Sequence, residues 1–247
     1  MIRLSLTTTL LRPFPTVTLD TVRQTLLQDT AVSDVTCSGT VRRISGSIDE
    51  TGSVLLRANV GGSSRIEFSL PSGNRTEIIN FTTATPVGVW TGPDGVGHPI
   101  PWHNLVADSF WFFPGFEISR RVSASFVTRD LGLETRNGLE VEHFVTSEAS
   151  PTETADEIVE MQHLTQVDFY VDVTSNLPTA ITFNLHPDDN SLQDIPVEFR
   201  LFDYRTIGGT KIPFHVQKFL NNDLFLDFEI HSSSINSGVA ADQFSIH

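Results

Sequence analysis

The stretch "PVEFRLFDYRTIGGTKIPFHVQKFLNNDLFLDFEIHSS", residues 196–233, alternates apolar and polar positions through three successive runs. Val197, Phe199 and Leu201 share one side of the first run. Ile212, Phe214 and Val216 share one side of the second, and Leu224, Leu226, Phe228 and Ile230 one side of the third. A period of two belongs to a strand with one buried face. The connections are short, with Gly208-Gly209 and Asn221-Asn222 at their tips. Strands joined in this way form an antiparallel meander in which chain neighbours pair.

The same period extends outward from this stretch. "TQVDFYVDV" (165–173) sets Val167, Phe169, Val171 and Val173 against Asp168, Tyr170 and Asp172, and "TAITFNLH" (179–186) alternates Ile181, Phe183 and Leu185. "LGLETRNGLEVEHFV" carries Asn137-Gly138, a hairpin signal because both residues tolerate positive φ. "RVSASFVT" (121–128) places Val122, Ala124 and Phe126 on one side of a further strand. Nearer the N-terminus, "VTCSGTVRRI", "SVLLRANV", "SRIEFSL", "RTEIINF" and "GVWTG" are short β-rich runs separated by Gly, Asn, Ser and Pro clusters.

Two segments change period. "TLDTVRQTLLQDTA" (18–31) has Leu19, Val22, Leu26 and Leu27 at helical spacing, with Thr18 or Asp20 as cap. "WHNLVADSFWFFPGF" (102–116) reads as a helix stopped by Pro114-Gly115, with Trp102, Leu105, Val106, Phe110 and Phe113 on one stripe. Trp111 and Phe112 fall off that stripe, so the helix is either sandwiched in the core or lines a cavity. An acidic Pro/Ser/Thr-rich loop (147–157) leads into the brief segment "EIVEMQ".

Ten or so antiparallel strands in one sheet curl rather than lie flat. The helical segments are then the covers of the concave side. The expected fold is a β-rich α+β single domain over residues 1–247: a strongly curved antiparallel sheet with helical covers, residues 1–17 forming an irregular extension.

Composition narrows the partners. Net charge is −14, from 30 acidic against 16 basic residues. That excess argues against a nucleic-acid backbone and against purely electrostatic adhesion to anionic membranes. Cys37 is the sole cysteine, so neither an internal disulfide nor a Cys-rich zinc site is available. No run approaches the roughly 18–20 apolar residues of a membrane span. "MIRLSLTTTLLRPFP" lacks the apolar core and small-residue cleavage site of a signal peptide. Composition alone leaves the compartment open, the cytoplasm included.

Catalytic patterns are missing: there is no G-x-S-x-G elbow, P-loop, dinucleotide fingerprint or H-E-x-x-H. His98, His103 and Asp108 are the one grouping that suggests a metal-dependent hydrolase, and their spacing matches no ligand pattern. "HPDDNS" (186–191) reads better as a hairpin connection than as a cation loop. Glu140 and Glu142 read as the solvated face of a strand. No cofactor, metal or catalytic residue is expected.

Several of these stretches together resemble a known family. "FRLFDYRTIGGTKIPFHVQKF" is similar to a hairpin of the LolA/LolB-like lipoprotein-carrier superfamily of bacterial envelope proteins, in which an Asp-Tyr strand turns at Gly and returns through Lys-x-Pro. "FEIHSSSINSGVAADQFSI" is similar to its closing strand and tail, with Asn236 and Phe244 at the matching positions. The leading helix, "VTCSGTVRRI" and "GSVLLRANVGGSSRIEFSLPSG" are similar to its first helix and first three strands, with Arg65 near the place of the family's lid-locking Arg. The resemblance implies an incomplete curved barrel whose cavity holds acyl chains or an amphipathic partner. It implies a non-catalytic carrier for a lipid or lipidated peptide in the periplasm or cell envelope, working with a membrane-associated protein. On that basis Trp102, Phe110, Trp111 and Phe113 are the candidate cavity wall, faced by Phe68, Phe126 and Phe183 from strands. A protein-interaction or sensor module on the same fold is the alternative function. The oligomeric state is not readable.

Overall fold

The computed structural model of the protein describes residues 17–83, 85–108, 110–149 and 154–246. Most of the expected N-terminal extension therefore lies outside the described residues, as does the centre of the acidic loop. Thirteen strands form one antiparallel sheet. In chain order they are β1 (Asp34–Ser45), β2 (Ile48–Asn59), β3 (Ser64–Leu70), β4 (Gly73–Asn80), β5 (Val87–Thr91), β6 (Gly97–Pro99), β7 (Phe126–Arg136), β8 (Leu139–Glu148), β9 (Val167–Asp172), β10 (Leu177–Leu185), β11 (Ile195–Ile207), β12 (Thr210–Leu220) and β13 (Asp223–Ile235). Their order across the sheet is β6-β5-β4-β3-β2-β1-β13-β12-β11-β10-β9-β8-β7. Chain neighbours pair throughout apart from β6 and β7, and at the centre β1 meets β13. The outermost strands, β6 and β7, do not pair with each other, so the barrel stays open.

The turns follow from their residues. Asn137-Gly138, Gly208-Gly209 and Asn221-Asn222 all have positive φ at both positions, as two-residue hairpins of strongly twisted sheets require. The sheet curls. Strands β3 and β13 are three ladder steps apart, about 14 Å on a flat sheet, yet the Phe68 and Phe228 rings are 6.2 Å apart. Gly39 sits at a register shift in β1, where any Cβ would strike the Glu229 carbonyl, and this bulge helps to bend the sheet centre.

The inner face carries the alternating apolar residues of the meander, Val197, Phe199, Leu201, Ile212, Phe214, Val216, Leu226, Phe228 and Ile230, in one continuous core. Helix α1 (Leu19–Leu27) begins at Thr18, whose hydroxyl accepts from Thr21 N, and it buries Leu19, Val22 and Leu26. The chain from 102 to 121 is not the single helix that its spacing predicts. Helix α2 (Trp102–Ala107) stops after six residues, residues 110–113 turn irregularly, and α3 (Pro114–Arg121) starts with Pro114 at its first position. Proline ends a helix only from within or after it; at the first turn its missing N–H costs nothing. The predicted strand at 121–125 is likewise absent, because α3 continues to Arg121 and β7 begins at Phe126. Helix α4 (Ala155–Thr165) has a capping box between Thr154 and Glu157 and buries Thr165 alone.

A charged node joins the covers. Arg121 is fully buried. Its Nε donates to Glu117 Oε1 at 2.6 Å, Nη2 to Val106 O at 2.7 Å and Nη1 to Thr165 O at 3.1 Å. One guanidinium thus ties the end of α2, the body of α3 and the end of α4. Burial lowers its pKa to about 10, which leaves it charged at neutral pH, while Arg120 and Arg121 hold the Glu117 carboxyl below its ordinary range against the effect of burial.

The tail closes back on the sheet centre. Asn236, at φ 54°, accepts from Ser33 N at 2.7 Å and donates to Ala31 O at 2.9 Å. Phe244 is fully buried in a short 3-10 turn, Ala241–Phe244.

Candidate functional site

Between the inner face at the β3–β5 side and the turn at 110–113 lies a cleft of about 440 Å³. Ile66 and Phe68 of β3, Leu220 of β12 and Phe225 and Leu226 of β13 form its apolar wall, closed by Trp111. Arg43, Arg75, Glu77 and Lys218 bring charge to its margin, and Trp90 stands at its edge. These residues meet because β3 and β13 curl toward each other and because Gly88 leaves room for α2. A Cβ at Gly88 would collide with Leu105.

Trp111 is fixed by rings on two sides. It stacks on Phe199 at 4.6 Å between centroids and lies 4.7 Å from Phe228. Only 4% of it is exposed, so the indole is a rigid wall of the cleft. Phe112 packs edge-on against Trp111 and is buried in the core.

The other aromatics go elsewhere. Phe110 and Phe113 pack against Phe116 and are buried within the core. Trp102 is 43% exposed on α2 and is not part of the wall. Phe126 lies under the Arg120 and Arg121 guanidinium groups. Phe183 packs 6.1 Å from Phe199 and lines a separate cleft of about 420 Å³ among mostly polar residues. Thus Phe68 and Trp111 share the apolar cleft and the remaining five do not.

A half-buried charge trio of Lys218, Asp108 and Glu77 sits beside the cleft. Lys218 Nζ donates to Asp108 Oδ2 at 2.8 Å, and Glu77 is coupled electrostatically to both. Burial, and then the Asp108 charge, push the Glu77 carboxyl up to about 7 against the pull of Lys218. Burial raises Asp108 as well, while Lys218 pulls it down. Glu77 also lines a neighbouring cavity of about 170 Å³ with Pro99, Ile100 and Asn104. Strand alternation signalled no role for Glu77, since a Glu on a β4 run reads as solvated.

The grouping of His98, His103 and Asp108 is not formed. His98 stacks on Trp90 at 4.1 Å, His103 is within 3.3 Å of His186 O, and Asp108 is held by Lys218. Cys37 is buried beside Ser233, and burial pushes its thiol up to about 11, which disfavours the thiolate. Arg65 does not lock a helical lid: it donates to Gln243 O at 3.2 Å and pairs with Glu67, holding the tail.

The chain folds as an open antiparallel half-barrel with helices on its concave face. Several solved structures are similar to this chain in fold. An outer membrane lipoprotein-sorting assignment accompanies one, a domain from Vibrio parahaemolyticus, with TM-score 0.60 and 11% identity over 92% of this chain and 94% of that one. A DUF1329 family protein from Desulfovibrio piger matches with TM-score 0.57 and 12% identity, over 93% and 98%. A LolA superfamily protein from Nitrosomonas europaea matches with TM-score 0.56 and 9% identity, over 94% and 99%. No family model and no curated protein matches the chain. The likeness is one of fold, carried at an identity where sequence has diverged almost completely.

Proposed function

We propose that this protein is a non-catalytic carrier that holds an apolar ligand, a lipid or the acyl chain of a lipidated peptide, in the cleft beside Trp111. In this role the chain acts as one domain in a bacterial envelope compartment and hands the ligand to or from a membrane-associated protein. The observation that carries the proposal is the cleft itself: six apolar side chains, Ile66, Phe68, Trp111, Leu220, Phe225 and Leu226, line a volume of about 440 Å³. Ligand sites are apolar concavities of a few hundred Å³ with few polar groups. Burying acyl methylenes contributes about 0.8 kcal/mol each. Ten would supply roughly 8 kcal/mol, which corresponds to about micromolar affinity before ordering costs. Arg43 and Arg75 at the margin suit an anionic head group. The lipoprotein-sorting assignment of the Vibrio parahaemolyticus domain supports the same role.

Brominated acyl chains test this directly, because bromine quenches nearby indoles. Trp90 and Trp111 line the cleft and Trp102 does not. Saturable quenching that falls in Trp111→Phe and is lost when Trp90→Phe is added, with lipid released on solvent extraction of the purified protein, is the expected result. No quenching and no extracted lipid would overturn the proposal.

A protein-docking function on the same fold is favoured by a different observation. Val127, Leu131 and Leu133 are exposed on β7, an outermost strand, and Leu139 is exposed across the same hairpin.

A further inference from the structure

We propose that His163, His186 and Asp194 form a binding site for a borderline-soft divalent metal ion of the zinc type, and that the ion fastens α4 to the sheet. The three side chains come from separate places: the last turn of α4, the residue after β10, and the residue before β11. Their ligand atoms all lie within 4.8 Å of one another. Asp194 Oδ1 is 3.1 Å from His163 Nε2 and 3.0 Å from His186 Nε2. In a zinc tetrahedron with bonds of about 2.0–2.2 Å, neighbouring ligand atoms stand about 3.3–3.5 Å apart. Both nitrogen–oxygen edges are therefore near coordination length, and small side-chain rotations would complete the site.

The chemistry of the donors points the same way. Two imidazoles and one carboxylate are a common three-ligand set for zinc, leaving a fourth position for water. His186 is the anchor. Its side chain is fully buried, and its Nδ1 has no hydrogen-bond partner among the described residues, so the ring's only polar contact is directed at Asp194. Its backbone is pinned by α2: His186 N donates to Asn104 Oδ1 at 3.1 Å, and its carbonyl accepts from Asn104 Nδ2 at 3.0 Å. His163 and Asp194 are exposed, which leaves an entry path for the ion, and both line the polar cleft of about 420 Å³.

The consequence falls on α4. Thr165 is the helix's sole buried residue, so few apolar contacts hold it down. An ion linking His163 to His186 and Asp194 would cross-link α4 to the β10–β11 connection, a tie that hydrogen bonding between two exposed side chains supplies only weakly.

Zinc chloride titration of the full chain by calorimetry tests the site, with amide hydrogen exchange followed in parallel. One zinc per chain is expected to bind, with exchange across 155–165 slowed about tenfold or more. His163→Ala and Asp194→Ala, at exposed positions compatible with folding, should each weaken zinc binding about tenfold or more. Cobalt in place of zinc should show the visible bands of a tetrahedral site. Absence of binding heat, or zinc affinity unchanged in both variants, would overturn the proposal. Loss of binding in His98→Ala instead would do the same, since it would move the site elsewhere.

Discussion

Trp111 lies almost parallel to Phe199, with ring planes 9° apart and centroids separated by 4.6 Å. The contact crosses from the irregular turn after α2 to the middle of β11, so the turn is locked to the sheet by stacked aromatics. It also fixes the indole as one wall of the apolar cleft.

Replacing this indole has two expected effects. Trp111→Ala leaves a core cavity and should lower stability by roughly 3–5 kcal/mol, measured as a shift in the urea midpoint. Trp111→Phe keeps a ring on Phe199 and should lose much less. A Trp111→Ala variant as stable as the parent would show that Phe199 and Phe228 do not depend on the stack.

Arg121 holds three covers at once. Arg121→Met removes one guanidinium partner of the buried Glu117 and releases the Thr165 carbonyl. A loss of about 3–5 kcal/mol is expected, since it breaks a buried ion pair from one side. Glu117→Leu combined with Arg121→Met should recover part of that loss. Additive losses in the double variant would contradict a coupled pair.

Glu77 makes stability depend on pH. Its carboxyl is pushed from 4.5 up to about 7 in the folded protein, chiefly by burial and then by Asp108. The native state therefore keeps a proton that the unfolded chain has already released. That contribution is complete below pH 4.5 and is lost as pH rises toward 7. Glu77→Gln removes this titration, so its stability relative to the parent should rise between these values and then level off. A constant difference from pH 4 to 8 would count against it.

Asn236 combines a left-handed backbone with a side-chain buckle onto residues 31 and 33. Asn236→Gly keeps the backbone conformation and loses the hydrogen bonds, about 1–2 kcal/mol. Asn236→Ala adds strain at positive φ and should cost more. Equal losses on thermal melting would mean that the backbone conformation contributes nothing.

Residues 196–233 illustrate what sequence by itself determined. Strand period, hairpin positions and the identity of the inward face are local properties, set by alternation and by residues that tolerate positive φ, and both hairpins sit where their Gly and Asn pairs stand. Curling and covering helices followed from the number of strands, and α1 from its Thr18 cap. What lay beyond reach depended on contacts between distant segments. The helical stripe through Trp102, Phe110 and Phe113 breaks after Ala107, because tertiary packing of Trp111 on Phe199 and Phe228 outweighs helical periodicity. Glu77 acquires its raised pKa from burial and from the Asp108 charge, with Lys218 pulling against both, and these groups lie far apart in the chain. His163, His186 and Asp194 converge only when α4 folds over the end of β10. Spacing along the chain carries no record of such meetings, since curvature of the sheet and the placing of the helices on it bring the partners within bonding distance.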